Sequence, residues 1–221
     1  MFSYLFKIIK RFRALRHVKV NDDLSSFMFA RNVCIEANEG SEIILNNAVV
    51  RLGYSLPGVP LYAGTMASSI FLGKNSKLVF NGAVSIAPGF NIRVKDNATL
   101  TFNGHNHAAH NLLILCSRQV DIGEKTALSW NVTLIDDDEH YFSDMKGRKV
   151  RALYKPLIIG RNVGIQMNSC VPRGIKVGDN SVISCGTVAR KDIPENCLAY
   201  QDAPMRIRQG LFSPIRSKLS D

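Results

Sequence analysis

Between Ile159 and Ile193 an aliphatic residue recurs every six positions without interruption, at Ile159, Ile165, Val171, Val177 and Ile183, with Ala189 next in line. Four residues after each stands a small or β-branched side chain: Val163, Ser169, Ile175, Ser181, Thr187 and Ile193. A period of six suits neither a lone helix at 3.6 nor the two-residue alternation of an ordinary strand. It marks a solenoid in which each hexad supplies one short strand and three hexads close one coil. Corners are marked too: Gly73-Lys74-Asn75, Gly160-Arg161-Asn162 and Gly178-Asp179-Asn180 each follow an aliphatic residue. Gly and Asn are the residues that accept the positive φ a tight corner asks for.

From Arg31 to Val120 the repeat is present but worn. Leu72, Leu78, Val84 and Phe90 keep the interval, and Val94 and Leu100 restart it in a new phase. A stretch with Gly53, Pro57, Gly58, Pro60 and Gly64 predicts a loop between Leu52 and Ser69. Ile122, Leu128 and Leu134 run in register until Asp136, and the register resumes at Ile159. The polar segment 136–158 is too long for a corner; it reads as an excursion able to reach a neighbouring chain, and long excursions are usually functional. The expected organisation is a lead-in over 1–30, a β-helix over 31–193 and a tail over 194–221.

In the lead-in, Phe2, Leu5, Phe6, Ile9 and Phe12 recur at helical spacing among Lys7, Lys10, Arg11, Arg13 and Arg16. This predicts a short basic amphipathic helix that packs on its own solenoid or on a neighbouring subunit. Contact of residues 1–20 with a membrane surface is the other reading. No apolar run approaches the ~20 residues of a membrane span, and no long apolar region with a small-residue cleavage site follows, so a secretory signal is not expected. Five scattered cysteines without a CxxC read as reduced thiols in a cytosolic protein. The inner face of the membrane is the alternative location. A formal net charge of +10 implies an anionic partner such as a phosphate-bearing cofactor, an acidic glycan, a lipid surface or nucleic acid, without choosing among them.

The excursion opens with Asp136-Asp137-Asp138-Glu139-His140. A histidine titrates near neutral pH and gains proton affinity beside carboxylates, which suits general-base work; a solvated acidic turn with an incidental histidine has the same composition. Gly104-His105-Asn106-His107-Ala108-Ala109-His110 holds three histidines, a zinc-like density.

The C-terminal half, Val120 to Arg208, resembles the hexapeptide-repeat acyltransferases, in particular the galactoside and maltose O-acetyltransferases and related polysaccharide O-acetyltransferases. The residues that carry the resemblance are Ile122-Gly123, Ser129-Trp130-Asn131-Val132-Thr133-Leu134, and the Asp-x-Asp-x-His of Asp136, Asp138 and His140. After them come Lys155-Pro156-Leu157-Ile158-Ile159-Gly160, Val177-Gly178-Asp179-Asn180-Ser181-Val182-Ile183 and Lys191-Asp192-Ile193-Pro194. The resemblance implies an all-β left-handed parallel β-helix, an active homotrimer with sites between subunits, and acetyl-CoA as co-substrate.

It also implies roles for single residues. His140 would be the catalytic base for direct transfer to a sugar hydroxyl. The donor would lie along Met167 and Cys185, with Arg190, Lys191 and Arg208 at its phosphates. The acceptor would meet Asn111, Ser117, Trp130, Asn131 and Asp138, although Trp130 serves equally as a groove wall and Asn131 as a corner cap. Gly164 stands where the family has tryptophan, Gln166 where it has glycine, and Ser117 where it has an acidic acceptor contact. The acceptor is therefore expected to be a bacterial surface polysaccharide unit or its precursor, and not those enzymes' own sugars. N-acetylation of an amino-sugar is the nearest variant, and a non-catalytic trimeric scaffold the plainest. His105 and His110 match the spacing of γ-class carbonic anhydrases, which leaves a metal-dependent hydratase on the same scaffold as a further alternative; that family's upstream histidine has no counterpart, so no metal-ligating residue is named, and no nucleic-acid partner is expected.

Overall fold

The computed structural model describes residues 15–54, 66–140, 143–148 and 153–202. Most of the expected N-terminal helix and most of the Gly/Pro loop lie outside them. Twenty-one short strands wind into three parallel sheets among the described residues. Sheet A holds β1 (Val18–Val20), β4 (Glu42–Asn46), β7 (Lys77–Asn81), β10 (Thr99–Phe102), β13 (Gln119–Ile122), β16 (Leu157–Ile159) and β19 (Lys176–Val177). Sheet B holds β2 (Ser26–Phe29), β5 (Val49–Leu52), β8 (Val84–Ile86), β11 (Asn106–Ala108), β14 (Ala127–Leu128), β17 (Gly164–Ile165), β20 (Val182–Ile183) and β21 (Leu198–Ala199). Sheet C holds β3 (Val33–Ala37), β6 (Ser68–Leu72), β9 (Asn91–Val94), β12 (Leu113–Cys116), β15 (Thr133–Ile135) and β18 (Cys170–Val171). Strands pair in parallel with those three further along, so three make one coil of a prism. Single bridges from Cys170 to Val188 and from Val177 to Ile193, with β21 laid on β20, finish the last coil.

Inward side chains stack in columns up the axis. Leu45, Phe80, Phe102, Ile122, Ile159 and Val177 form one column in sheet A. Ile70, Ile92, Ile114, Leu134 and Val171 form another in sheet C. All of these are at most 3% exposed, and each fully buried aliphatic contributes about 1.5–3 kcal/mol. Phe80 and Phe102 stack with centroids 5.4 Å apart.

The worn half of the repeat has a geometric cause. Ile159 pairs with Val177 across a coil of three hexads, whereas Leu78 pairs with Leu100 and Leu100 with Val120, in longer coils. Many strands there have four or five residues and two inward positions, such as Leu78 and Phe80, so a six-residue interval finds one of each pair. Coils also extend beyond the expected 31–193, from Val18 to Ala199.

At the corners Gly and Asn divide the work. Asn75, Asn162 and Asn180 take the positive φ, at 53°, 54° and 58°. Gly73, Gly160 and Gly178 do not; they admit the next coil, and a Cβ on Gly160 would lie 2.8 Å from the Asp179 amide nitrogen. Gly123 is tighter, since a Cβ there would overlap the Gly160 carbonyl. Gly123→Ala is expected to cost ~2 kcal/mol and to lower the melting temperature by several degrees. Melting together with the wild type would show that these coils separate freely.

Candidate active site

The prism's edges collect residues that are far apart in sequence. Along the edge between sheets B and C, each coil contributes one corner. Asn131 N–H donates to the His110 carbonyl at 3.0 Å, Asn168 N–H to Trp130 at 2.9 Å, and Gly186 N–H to Met167 at 2.9 Å. The corner asparagines form a ladder, with Asn111 Nδ2 donating to Asn131 and Asn131 Nδ2 to Asn168, both at 2.9 Å. Their φ angles are 63°, 57° and 58°. Asn111, Trp130, Asn131, Met167 and Cys185 therefore share one edge. The corner role left open for Asn131 is occupied. Met167 is exposed, and the indole nitrogen of Trp130 is buried without a hydrogen-bond partner. Gln166, at the family's glycine position, accepts from the backbone N–H of Cys185 at 3.1 Å and lies 3.3 Å from its sulfur.

The edge between sheets C and A carries the loop. Tyr154 bridges back to Asp137, and Lys155 N–H donates to the Asp136 carbonyl at 3.0 Å, so the loop's two strands close at its base. The acidic run spreads outward from there to several coils. Asp136, fully buried, accepts the backbone N–H groups of Ser117, Arg118 and Gln119 at 2.6–2.7 Å. Burial pushes its carboxyl above the usual range, against the pull of those three donors. Asp137 pairs with Lys95 at 2.9 Å, and Asp138 with the guanidinium of Arg173. The carboxylates that in sequence surround His140 thus have partners of their own, and the Asp138 carboxylate is held by Arg173. His140 is exposed at the end of the run, next to Glu139. Ser117 serves Asp136 through its backbone. Lys95 and Arg173 were not legible as site residues, because nothing in a linear reading joins either to the loop.

Arg190 and Lys191 lie at the last corner of this same edge, exposed, beside a groove of ≈ 450 Å³ that Thr187, Leu198 and Tyr200 also line. Arg208 lies outside the described residues. Sheet C separates the two edges by ~10–13 Å, the length of three to four residues of strand. On β12 and β15 its outward face carries Leu115 beside Ile135, and Leu113 beside Thr133 and then Cys170, whereas Asn91 and Arg93 continue the same face on β9. The three histidines diverge: His105 sits at a corner with φ 52°, His107 is exposed on sheet B, and His110 is buried. Among the described residues no group of three His, Cys, Asp or Glu could hold a metal, and no helix is long and apolar enough to cross a membrane.

No family model matches the chain. The galactoside O-acetyltransferase of Escherichia coli (strain K12) is 36% identical over 94 residues, 42% of this chain and 45% of that protein. The galactoside O-acetyltransferase of Lactococcus lactis is 31% identical over 94 residues, with the same shares. The chain spans about half the length of the curated relatives it matches. Among solved structures, the polysialic acid O-acetyltransferase OatWY superimposes with a TM-score of 0.55 at 16% identity, over 88% of this chain and 98% of that one. The fold is a left-handed parallel β-helix, and the resemblance is to hexapeptide-repeat acyltransferases.

Proposed function

We propose that the protein is an acetyl-CoA-dependent O-acetyltransferase acting on a sugar hydroxyl, with His140 as general base. The observation that carries this reading is the division of the expected site. The residues expected at the thioester and acceptor, Met167, Cys185, Asn111, Trp130 and Asn131, lie on one edge of sheet C. The loop bearing His140 leaves from the other, with Arg190 and Lys191 further along it. Between them lies an apolar patch on the outward face of β12 and β15, Leu113, Leu115 and Ile135, of the kind that marks an interface. Copies packed through that face would set one chain's loop against the next chain's donor edge, so a homotrimer completes three sites.

In each site His140 would take the proton of the acceptor hydroxyl as its oxygen attacks the thioester carbonyl. The C–S bond then breaks and CoA leaves as the thiol. Arg190, Lys191 and Arg208 suit the phosphates of the donor. A surface polysaccharide or its precursor fits as acceptor. An amino-sugar nitrogen would need the same geometry. The metal-enzyme reading draws nothing from histidines that diverge.

The test is acetyl transfer from labelled acetyl-CoA to a panel of sugars and glycans, read as free CoA thiol and as labelled product. Label on oxygen supports the proposal. No transfer and no affinity for acetyl-CoA would leave the scaffold. Thiol reactivity gives an independent check on the donor edge. Cys34 and Cys185 are exposed, whereas burial, with Asp136 nearby, pushes the Cys116 thiol far up. Iodoacetamide is expected to label Cys34 and Cys185 in the native protein and Cys116 only after unfolding. Acetyl-CoA should slow labelling at Cys185 and not at Cys34; equal slowing at neither would remove Cys185 from the donor site.

A further inference from the structure

Lys95 stands at the corner after β9, and β12 lies between that strand and β15, from which the loop departs. Its side chain spans the intervening coil. The ammonium donates to Asp137 Oδ2 at 2.9 Å and lies 3.2 Å from Glu139 Oε1. The Asp137 side chain is 2% exposed, so this pair is no ordinary solvent-screened surface contact; removing the cation would strand a buried carboxylate. Burial would raise the Asp137 carboxyl, and Ser117 and Lys95 beside it hold it below the ordinary range instead. Asp137 Oδ1 in turn accepts the backbone N–H of Glu139 at 2.7 Å. Glu139 has φ 57°, a left-handed conformation that crowds the Cβ of a non-glycine residue against the following carbonyl. The residue immediately before His140 is thus kept in an unfavourable turn by Asp137 and Lys95 together.

We infer that Lys95 is a positioning residue for His140, fixing the Glu139 turn from which the histidine leaves the loop base. The inference rests on the reading of His140 as general base. The Lys95 side chain has a narrower task than its neighbours: Asp136, the Asp137–Tyr154 bridge and the Asp138–Arg173 pair fasten the loop to the prism, whereas the ion pairs of the Lys95 ammonium are to Asp137 and Glu139.

The experiment compares Lys95→Met and Lys95→Arg in the full chain, each in the wild-type and the His140→Ala background. Lys95→Met is expected to lower kcat ~10–100-fold, the cost of a misplaced catalytic group, with KM for acetyl-CoA changed less than about twofold. Lys95→Arg should recover most of the rate, which a loss through unfolding would not predict. In the His140→Ala background Lys95→Met should cost nothing more, because residues that act as a unit are not additive. An unchanged kcat for Lys95→Met, or an equal loss in both backgrounds, would overturn the role of Lys95 and leave the base reading intact. An unaffected rate in His140→Ala alone would remove both.

Discussion

Replacing His140 by alanine is expected to lower turnover ~10²–10⁴-fold while acetyl-CoA still binds, because a positioned base contributes that much to a proton-coupled attack. In the direct transfer proposed above no acyl-enzyme forms, and the proposed base is the one group assigned to take the proton. Met167 and Cys185 sit across sheet C from the loop base, and Arg190 and Lys191 belong to the last coil, so binding without the His140 ring should survive. Initial rates of thiol release give the first quantity. The rise in melting temperature with acetyl-CoA, by mass action, gives the second. Joint loss of both would mean that the substitution had damaged the fold. A variant as active as the wild type would place the proton acceptor elsewhere.

The second large effect is expected at Asp136, which carries no chemistry. Its carboxylate accepts three backbone N–H groups from the preceding coil at the point where the chain departs for the loop. Asp136→Ala leaves those donors without an acceptor in a buried place, at a cost of ~3 kcal/mol. For a chain of this size that is roughly 6–12 °C in melting temperature. Asp136→Asn keeps an oxygen and should lose about half as much. Thermal denaturation decides it, and an Asp136→Ala protein melting with the wild type would show that water satisfies those groups equally well.

The two predictions separate what could be read linearly from what could not. The hexads at Ile165–Ile183 announced the coil because each strand there has one inward residue. Leu78 with Phe80, and Leu100 with Phe102, hid the same architecture by having two. The punctuation was legible as composition but not as mechanism: in Gly160-Arg161-Asn162 the asparagine makes the turn and the glycine makes room. At the site, five residues from four separate stretches fall on one edge, which the repeat itself guarantees once the coil is known. The acidic run was the harder case. Four consecutive carboxyl residues before a histidine look like one electrostatic cluster, yet they disperse: Asp136 to the backbone of 117–119, Asp137 and Glu139 to Lys95, and Asp138 to Arg173. Lys95, one full coil removed from the loop it holds, leaves no trace in a one-dimensional reading.

Both long excursions depart from the corners that bound sheet C, one after Leu52 and the other after Ile135, while corners between sheets A and B stay short. A coil bonds to the coils above and below it, so extra chain let out at a corner alters neither neighbour's register. Length in those two loops is therefore free to drift without retuning the stack, provided the anchored base of the second, 136–140 with 154–155, is kept. If the proposed function holds, selection for a new acceptor can thus proceed by editing upholstery while the frame keeps its dimensions.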